Sequence, residues 1–332
     1  MSLLYPIKFE PVLHEKIWGG SYLKEKLNKN AKENSKVGES LEISSVEGSV
    51  SVVSNGFLAG NPLDELIEVY MGDLVGDAVF EKFGTVIPLL IKFIDANADL
   101  SIQVHPNDEY AAEHHGKLGK NEMWYVMDAK PGAYIIPGFS KEVTSEEVQK
   151  CIDDGNFEDI LTKFPVKKGD VFMIPVGRVH ALCAGVVVAE IQQTSDVTYR
   201  LYDYNRKDDN GNLRDLHIED SLNVIDYSKP EAFVTKYEPE LNKAVNLQRN
   251  KYFTVNMLHL DQTIKRDYYL LDSFEIIMCV EGEAVIESEN EPVTVKAGET
   301  VLIPAELREI SFIPKGEAKL LEIYYEADFE QA

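Results

Sequence analysis

Gln103 and His105 stand two residues apart in Leu100-Ser-Ile-Gln-Val-His-Pro106, a run that alternates in polarity. On an extended strand, side chains two apart project from one face, so an amide and an imidazole placed this way can share an ion. Glu122 lies in Asn121-Glu-Met-Trp-Tyr-Val126, among apolar and aromatic neighbours where an unpaired carboxylate is costly to bury. His180 follows a tight Pro175-x-Gly177 turn. Two imidazoles, a carboxylate and an amide oxygen form an N2O2 donor set suited to a borderline divalent ion such as Zn2+, with room for a water or substrate oxygen. Any one of these residues alone reads as a packed or hydrogen-bonded side chain; together they point to a metal.

Thiolates do not contribute. The three cysteines, Cys151, Cys183 and Cys279, are odd in number and show no C-x-x-C spacing, which fits neither a disulfide framework nor a thiolate zinc site and suits a reducing cytoplasm.

The elements that must position these donors are mostly strands. Ile87 to Ile94, Leu100 to His105, Glu122 to Val126, Asp170 to Ile174, Val186 to Gln193 and Thr198 to Tyr204 read as short strands punctuated by Gly, Pro, Asp and Ser. From Leu4 to about Val53 the pattern is strands and turns, with Trp18-Gly19-Gly20 expected to break it. Helices are few: one starting at Asn61-Pro62 and ending near Gly72, one over Asn107 to His115, and one after the Thr144-Ser-Glu-Glu147 capping pattern, reaching Phe164 with a break at Gly155. Tyr227 to Leu247, poorer in apolar residues and without a period, reads as a linker.

The 332 residues suggest about two domains. Lys+Arg 33 against Asp+Glu 57 gives a net charge of −24, which would repel a phosphate backbone, so nucleic acid is an unsuitable partner. An anionic small molecule would need local Lys or Arg. The amino terminus lacks a basic stretch followed by an apolar one, and the longest apolar runs are too short to span a bilayer, so neither export nor membrane insertion is expected.

An internal echo refines the fold. Lys168-Gly-Asp-Val-Phe-Met-Ile-Pro175 and Lys296-Ala-Gly-Glu-Thr-Val-Leu-Ile-Pro304 share the same Gly-to-Pro spacing, each a turn glycine, an acidic residue, a strand and a proline. Two such units suggest two barrels, the second without a histidine matching His180. Gly169-x5-Pro175-x-Gly177-x2-His180 resembles the second motif of the cupin superfamily, with Ala184 where Asn is frequent. Together with Leu100 to Pro106, Gly119-Lys-Asn-Glu-Met-Trp-Tyr125 and Glu190-Ile-Gln-Gln-Thr-Ser-Asp-Val-Thr-Tyr-Arg200, the chain resembles type I phosphomannose isomerases of the short bacterial form. The matching segments span about residues 15 to 225.

The resemblance implies a mainly β fold of two cupin-type barrels (jelly rolls) with a few short helices: residues 1–235 forming the catalytic barrel, with a small helical segment near 144–164, and 236–332 a degenerate barrel without metal ligands. It implies one Zn2+ per chain on Gln103, His105, Glu122 and His180, a catalytic Arg200, and interconversion of mannose 6-phosphate and fructose 6-phosphate. Zinc and Arg200 would stabilise an enediolate. The motifs also carry over Lys120, as proton shuttle or oxyanion-binding cation, and Asp196, for ring opening or for orienting Arg200. Lys92 and Ser101 are the expected phosphate contacts, with Arg200 able to share them, while Trp124 and Tyr125 read as core aromatics. Asn121 stands where the family usually has Thr or Pro, and Val176 where it often has Ala; neither change removes a functional atom. A cupin metal oxygenase would prefer two His and one carboxylate around iron, and Gln103 and Arg200 argue against it. A sugar-phosphate-binding module without turnover is the non-enzyme alternative.

Overall fold

The structure, a computed structural model, describes residues 4–207, 211–327 and 329, so the outermost residues of both expected domains lie outside the described residues. It is mainly β and contains two cupin-type barrels. The first is built on a six-stranded antiparallel sheet ordered Val171–Ile174, Glu122–Ala129, Val186–Gln193, Leu89–Ala96, Val37–Ile43 and Val12–Gly20. Short strands face it: Tyr199–Tyr202 pairs with Ile102–Val104, and Ala181–Leu182 with Tyr134–Ile136. A bridge between Gln103 and His180 joins these two groups. The second barrel combines a five-stranded sheet (Ala244–Arg249, Thr254–Leu260, Ala318–Tyr324, Glu275–Glu281, Thr300–Ile303) with a four-stranded one (Ile264–Asp267, Glu309–Pro314, Glu283–Glu287, Val293–Lys296).

Period-two alternation decides which residues enter each barrel. On the outer face of the six-stranded sheet, Leu89, Ile91, Phe93, Met123, Tyr125 and Ile191 form one core with Val255, Ile276, Met278, Leu321 and Ile323 of the second barrel. Burial of both sheet faces explains why Leu89–Ala96 reads as an almost continuous apolar run. The inner face of the same strands carries Ile94, Trp124, Val126 and Val188, but also Lys92, Glu122 and Glu190. Charges in so apolar a setting must be paired.

Most expected elements are present, with four differences. Trp18-Gly19-Gly20 does not break the chain but ends the Val12–Gly20 strand, where a Cβ on Gly19 would fall 2.5 Å from the Lys36 carbonyl oxygen. These glycines serve close strand approach. The helix expected to stop near Gly72 kinks at Met71 and runs to Val75, because Leu74 and Val75 are buried in the shared core; Asp77–Phe83 then starts anew with Asp272 accepting from the Asp77 and Ala78 amides. Ser145–Asp153 is the helix capped by Thr144, and after Gly155 it gives way to a 3-10 turn at Phe157–Ile160. The expected linker is pinned to the first barrel, with the Thr235 amide on the Val171 carbonyl and the Tyr237 hydroxyl on that of Gly169, and its end is already the Ala244–Arg249 strand.

Candidate active site

The first barrel closes over a cavity of about 420 Å3, within the size range of small-molecule sites, lined by Trp18, Lys92, Ser101, Gln103, Lys120, Glu122, Glu190, Asp196 and Arg200, among others. His105, Glu122 and His180 each place a donor atom within 4.8 Å of the others, and all three are buried. Each comes from a different segment. Glu122 is the first residue of its strand, opposite Ile174; His105 follows Ile102–Val104; His180 is drawn against Gln103 by reciprocal backbone hydrogen bonds.

Both imidazoles are oriented by backbone carbonyls. Nδ1 of His105 donates to Val197 O at 3.0 Å and Nδ1 of His180 to Arg178 O at 2.8 Å, which leaves each Nε2 lone pair facing the third ligand. His105 Nε2 is 3.2 Å from Glu122 Oε1, and His180 Nε2 is 3.5 Å from Glu122 Oε2 and from the Gln103 amide. Tetrahedral Zn2+ with bonds near 2.05 Å sets its donors about 3.3 Å apart, so the spacing fits. A half-turn of the Gln103 amide presents Oε1 at the same point.

Glu122 Oε2 is buried and accepts no hydrogen bond, which marks a place for a cation. Lys120 already supplies a positive charge there, its ammonium 2.9 Å from Glu122 Oε1 and 3.4 Å from His105 Nε2. Burial alone would raise the Glu122 carboxyl, but Lys120 and the two imidazoles overcome it and hold it well below the usual carboxylate range. Burial, then Lys120, pushes His105 down to about 3, and burial also lowers His180. A carboxylate and two neutral imidazoles are the protonation states a metal requires.

The remaining expected residues fall into two groups. Lys92 and Ser101 are buried in the cavity wall, and Lys92 is engaged by Glu190 Oε1 at 3.1 Å and Gln192 Oε1 at 2.8 Å. At the mouth, Arg200 donates through Nη1 to the Asp215 carbonyl at 2.7 Å, while its Nε is buried and unpartnered. Burial and the neighbouring Arg214 lower the Arg200 guanidinium, so positive charge is incompletely compensated there. Arg214 shares the single carboxylate of Asp203 with Arg206. Asp196 is exposed on the rim, and its ionic partner is Lys117 at 2.5 Å rather than Arg200. Trp124 is a buried barrel residue, as expected, and its indole donates to Glu190 Oε2 at 2.8 Å. Sequence reasoning assigned no role to Glu190 or Arg214; for Glu190 a signal existed, a carboxylate inside the apolar run Val186–Gln193.

A cupin barrel with a buried His-Glu-His cup beside an amide, and with a guanidinium whose Nε is unpartnered, defines a cupin with a candidate metal site. The type I phosphomannose isomerase catalytic-domain model matches residues 7–138, and the mannose-6-phosphate isomerase cupin-domain model matches 243–325. A mannose-6-phosphate isomerase of Streptococcus mutans is 37% identical over 92% of this chain and 95% of its own, and mannose-6-phosphate isomerase ManA of Bacillus subtilis is 38% identical over 92% and 94%. The crystal structure of the mannose 6-phosphate isomerase from Bacillus subtilis superposes with a TM-score of 0.86 at 32% identity, covering 97% of this chain and 100% of that one. A zinc-bound mannose 6-phosphate isomerase shares the fold, with a TM-score of 0.79 at 16% identity over 97% of this chain and 100% of that one. The chain belongs to the type I phosphomannose isomerase family, and its enzyme class is mannose-6-phosphate isomerase. Among the described residues, no helix is long and apolar enough to cross a membrane.

Proposed function

We propose that the first barrel interconverts mannose 6-phosphate and fructose 6-phosphate through an enediolate, with one Zn2+ per chain held by Gln103, His105, Glu122 and His180. The observation that carries this reading is the convergence of His105, Glu122 and His180 donor atoms within 4.8 Å, with both imidazole tautomers set by backbone acceptors. When bound, zinc supplies Lewis-acid stabilisation of negative charge on the oxygens at C1 and C2.

The protein's own groups do the rest. Arg200, with an unpartnered Nε and its Nη1 anchored on Asp215, offers fixed donors to the enediolate as charge develops. In this reading Lys120, whose Nζ lies beside Glu122, moves the proton between C1 and C2 or binds the oxyanion, and Asp196 on the rim assists ring opening. The phosphate has two candidate seats. Lys92 and Ser101 line the wall, but Lys92 is neutralised by Glu190; charge balance therefore favours Arg200 and Arg214 at the mouth, where Arg214 has only the carboxylate of Asp203, shared with Arg206. Residues 1–235 are the proposed catalytic unit, and the described strands of the second barrel cover the outer face of its main sheet.

A coupled assay for fructose 6-phosphate, run on the protein as purified, after chelation and after zinc is restored, tests reaction and cofactor together. Activity should vanish with the metal and return with zinc. Iron with oxygen consumption would instead indicate the oxygenase, and tight mannose 6-phosphate binding by zinc-loaded protein without turnover would indicate a sensor.

A further inference from the structure

The residue before Glu122 departs from the family pattern and looks inert in sequence, yet its side chain is a node. Asn121 is only 4% exposed. Its Oδ1 accepts from the Val176 amide at 3.2 Å, in the turn that carries His180. Its backbone amide and its Nδ2 both donate to Gln193 Oε1, at 3.0 and 2.8 Å. Gln193 in turn donates through Nε2 to Asp108 Oδ1 at 2.9 Å, and the same oxygen accepts from the Gly119 amide at 2.8 Å. Asp108 opens the helix that follows His105-Pro106. One amide and its partner thus link the three segments that bring Glu122, His180 and His105 into the cup.

We propose that Asn121, acting through Gln193 and Asp108, is a positioning residue that sets the separation of Glu122, His180 and His105 and so the affinity of the metal cup. The inference rests on the zinc site proposed above. Side chains that hold ligands in place tune metal binding although they never touch the ion. Asn suits the node because one side chain must accept from Val176 and donate to Gln193 at once, and its carbonyl oxygen and amino group do so from two separate atoms.

The test reads zinc dissociation constants, by competition with a chromophoric chelator, beside the melting temperature of the metal-free protein. Asn121→Ala should weaken zinc about 10- to 100-fold, Gln193→Ala similarly, and the double variant little more than either, since both break one chain. Asn121→Thr should weaken it less, and it decides the matter by the same criterion where Asn121→Ala does not fold. Asn256→Ala is the control: Asn256 is also buried and bonded to Glu322 in the second barrel, so its loss should lower the melting temperature and leave zinc affinity within about twofold. If Asn121→Ala and Asn121→Thr behave like that control, melting lower while holding zinc within about twofold, Asn121 only stabilises the fold and the proposal is overturned. Failure of the wild-type protein to bind zinc is a separate result, visible before any substitution, and overturns the metal site on which the proposal stands.

Discussion

Glu122 and Glu275 occupy matching positions in the two barrels. Glu122 lies opposite Ile174, five residues beyond Gly169, and Glu275 lies opposite Ile303, five beyond Gly298. Across the neighbouring strand, Glu190 faces Lys92 in the first barrel and Glu322 faces Asn256 in the second. The surroundings differ. Glu122 meets Lys120 and two imidazoles, which keep it ionised, whereas burial and then Glu322 push Glu275 well above the ordinary range, with Arg308 and Arg266 only partly compensating. Glu322 is satisfied by Arg266, Tyr268 and Asn256, and in the stretch that echoes the His180 turn the second barrel carries no histidine. The frame supplies an inward carboxylate twice. Histidines on the facing segments make one of them part of a candidate metal site.

Removing first-barrel ligands should have the largest effect. Glu122→Ala, His180→Ala and Gln103→Ala should each drop bound zinc below about a tenth of a site and kcat/KM by about 1000-fold, while Glu275→Ala leaves zinc in place. Metal analysis alongside the coupled assay checks this, and retained zinc with full turnover in all three would break the contrast between barrels. Arg200→Ala comes next. It should keep zinc and lose about 100- to 1000-fold in kcat, as expected for a group that acts on developing charge. A parallel loss of metal would mean that Arg200 supports the cup instead.

Much of this was legible in the sequence because strand alternation and tight turns are local. Gln103 and His105 share a face by spacing alone, and the Gly-to-Pro echo marked two barrels. What escaped depends on which distant segments meet. Glu190 and Lys92 lie 98 residues apart and pair only across adjacent strands. Asn121 looked replaceable because its partners, Val176 and Gln193, are distant in sequence. Asp196 was expected to assist ring opening or to orient Arg200, and the sequence did not show that its carboxylate would pair with the distant Lys117 on the exposed rim. The Gly19-Gly20 pair read as a breaker because composition does not show that a neighbouring strand lies too close for a Cβ.

Acid should affect the metal-free first barrel through its imidazoles. The folded-state value of His105, about 3, lies below the ordinary 6.5, so the stability its neutral form contributes is present above 6.5 and lost as pH falls toward 3. His180 is shifted in the same direction, and the depressed Glu122 adds a loss below about 4.5. Denaturant titrations of metal-free protein from pH 7 to 4 should show stability falling by on the order of a few kcal/mol, less in His105→Gln. An identical pH slope in that variant would show that His105 is not buried as a neutral group.

Glu275 should give the opposite sign and the smallest effect. Its folded-state value is raised, so its contribution is complete below the ordinary 4.5 and disappears as pH climbs through the raised value. Above that point the carboxyl must ionise beside Glu322 in a site where its Oε2 has no hydrogen-bond partner. Glu275→Gln keeps the shape and removes the charge, and its new amide hydrogens can point toward Glu322. Below that raised value the variant should melt close to wild type, because both carry a neutral side chain. In melts at successively higher pH it should become the more stable of the two once the pH passes that value, by about 1 kcal/mol, or about 2 °C in melting temperature for a chain of this length. A difference that does not vary with pH would mean Glu275 is ionised throughout, and the two barrels would then treat their matching carboxylates alike.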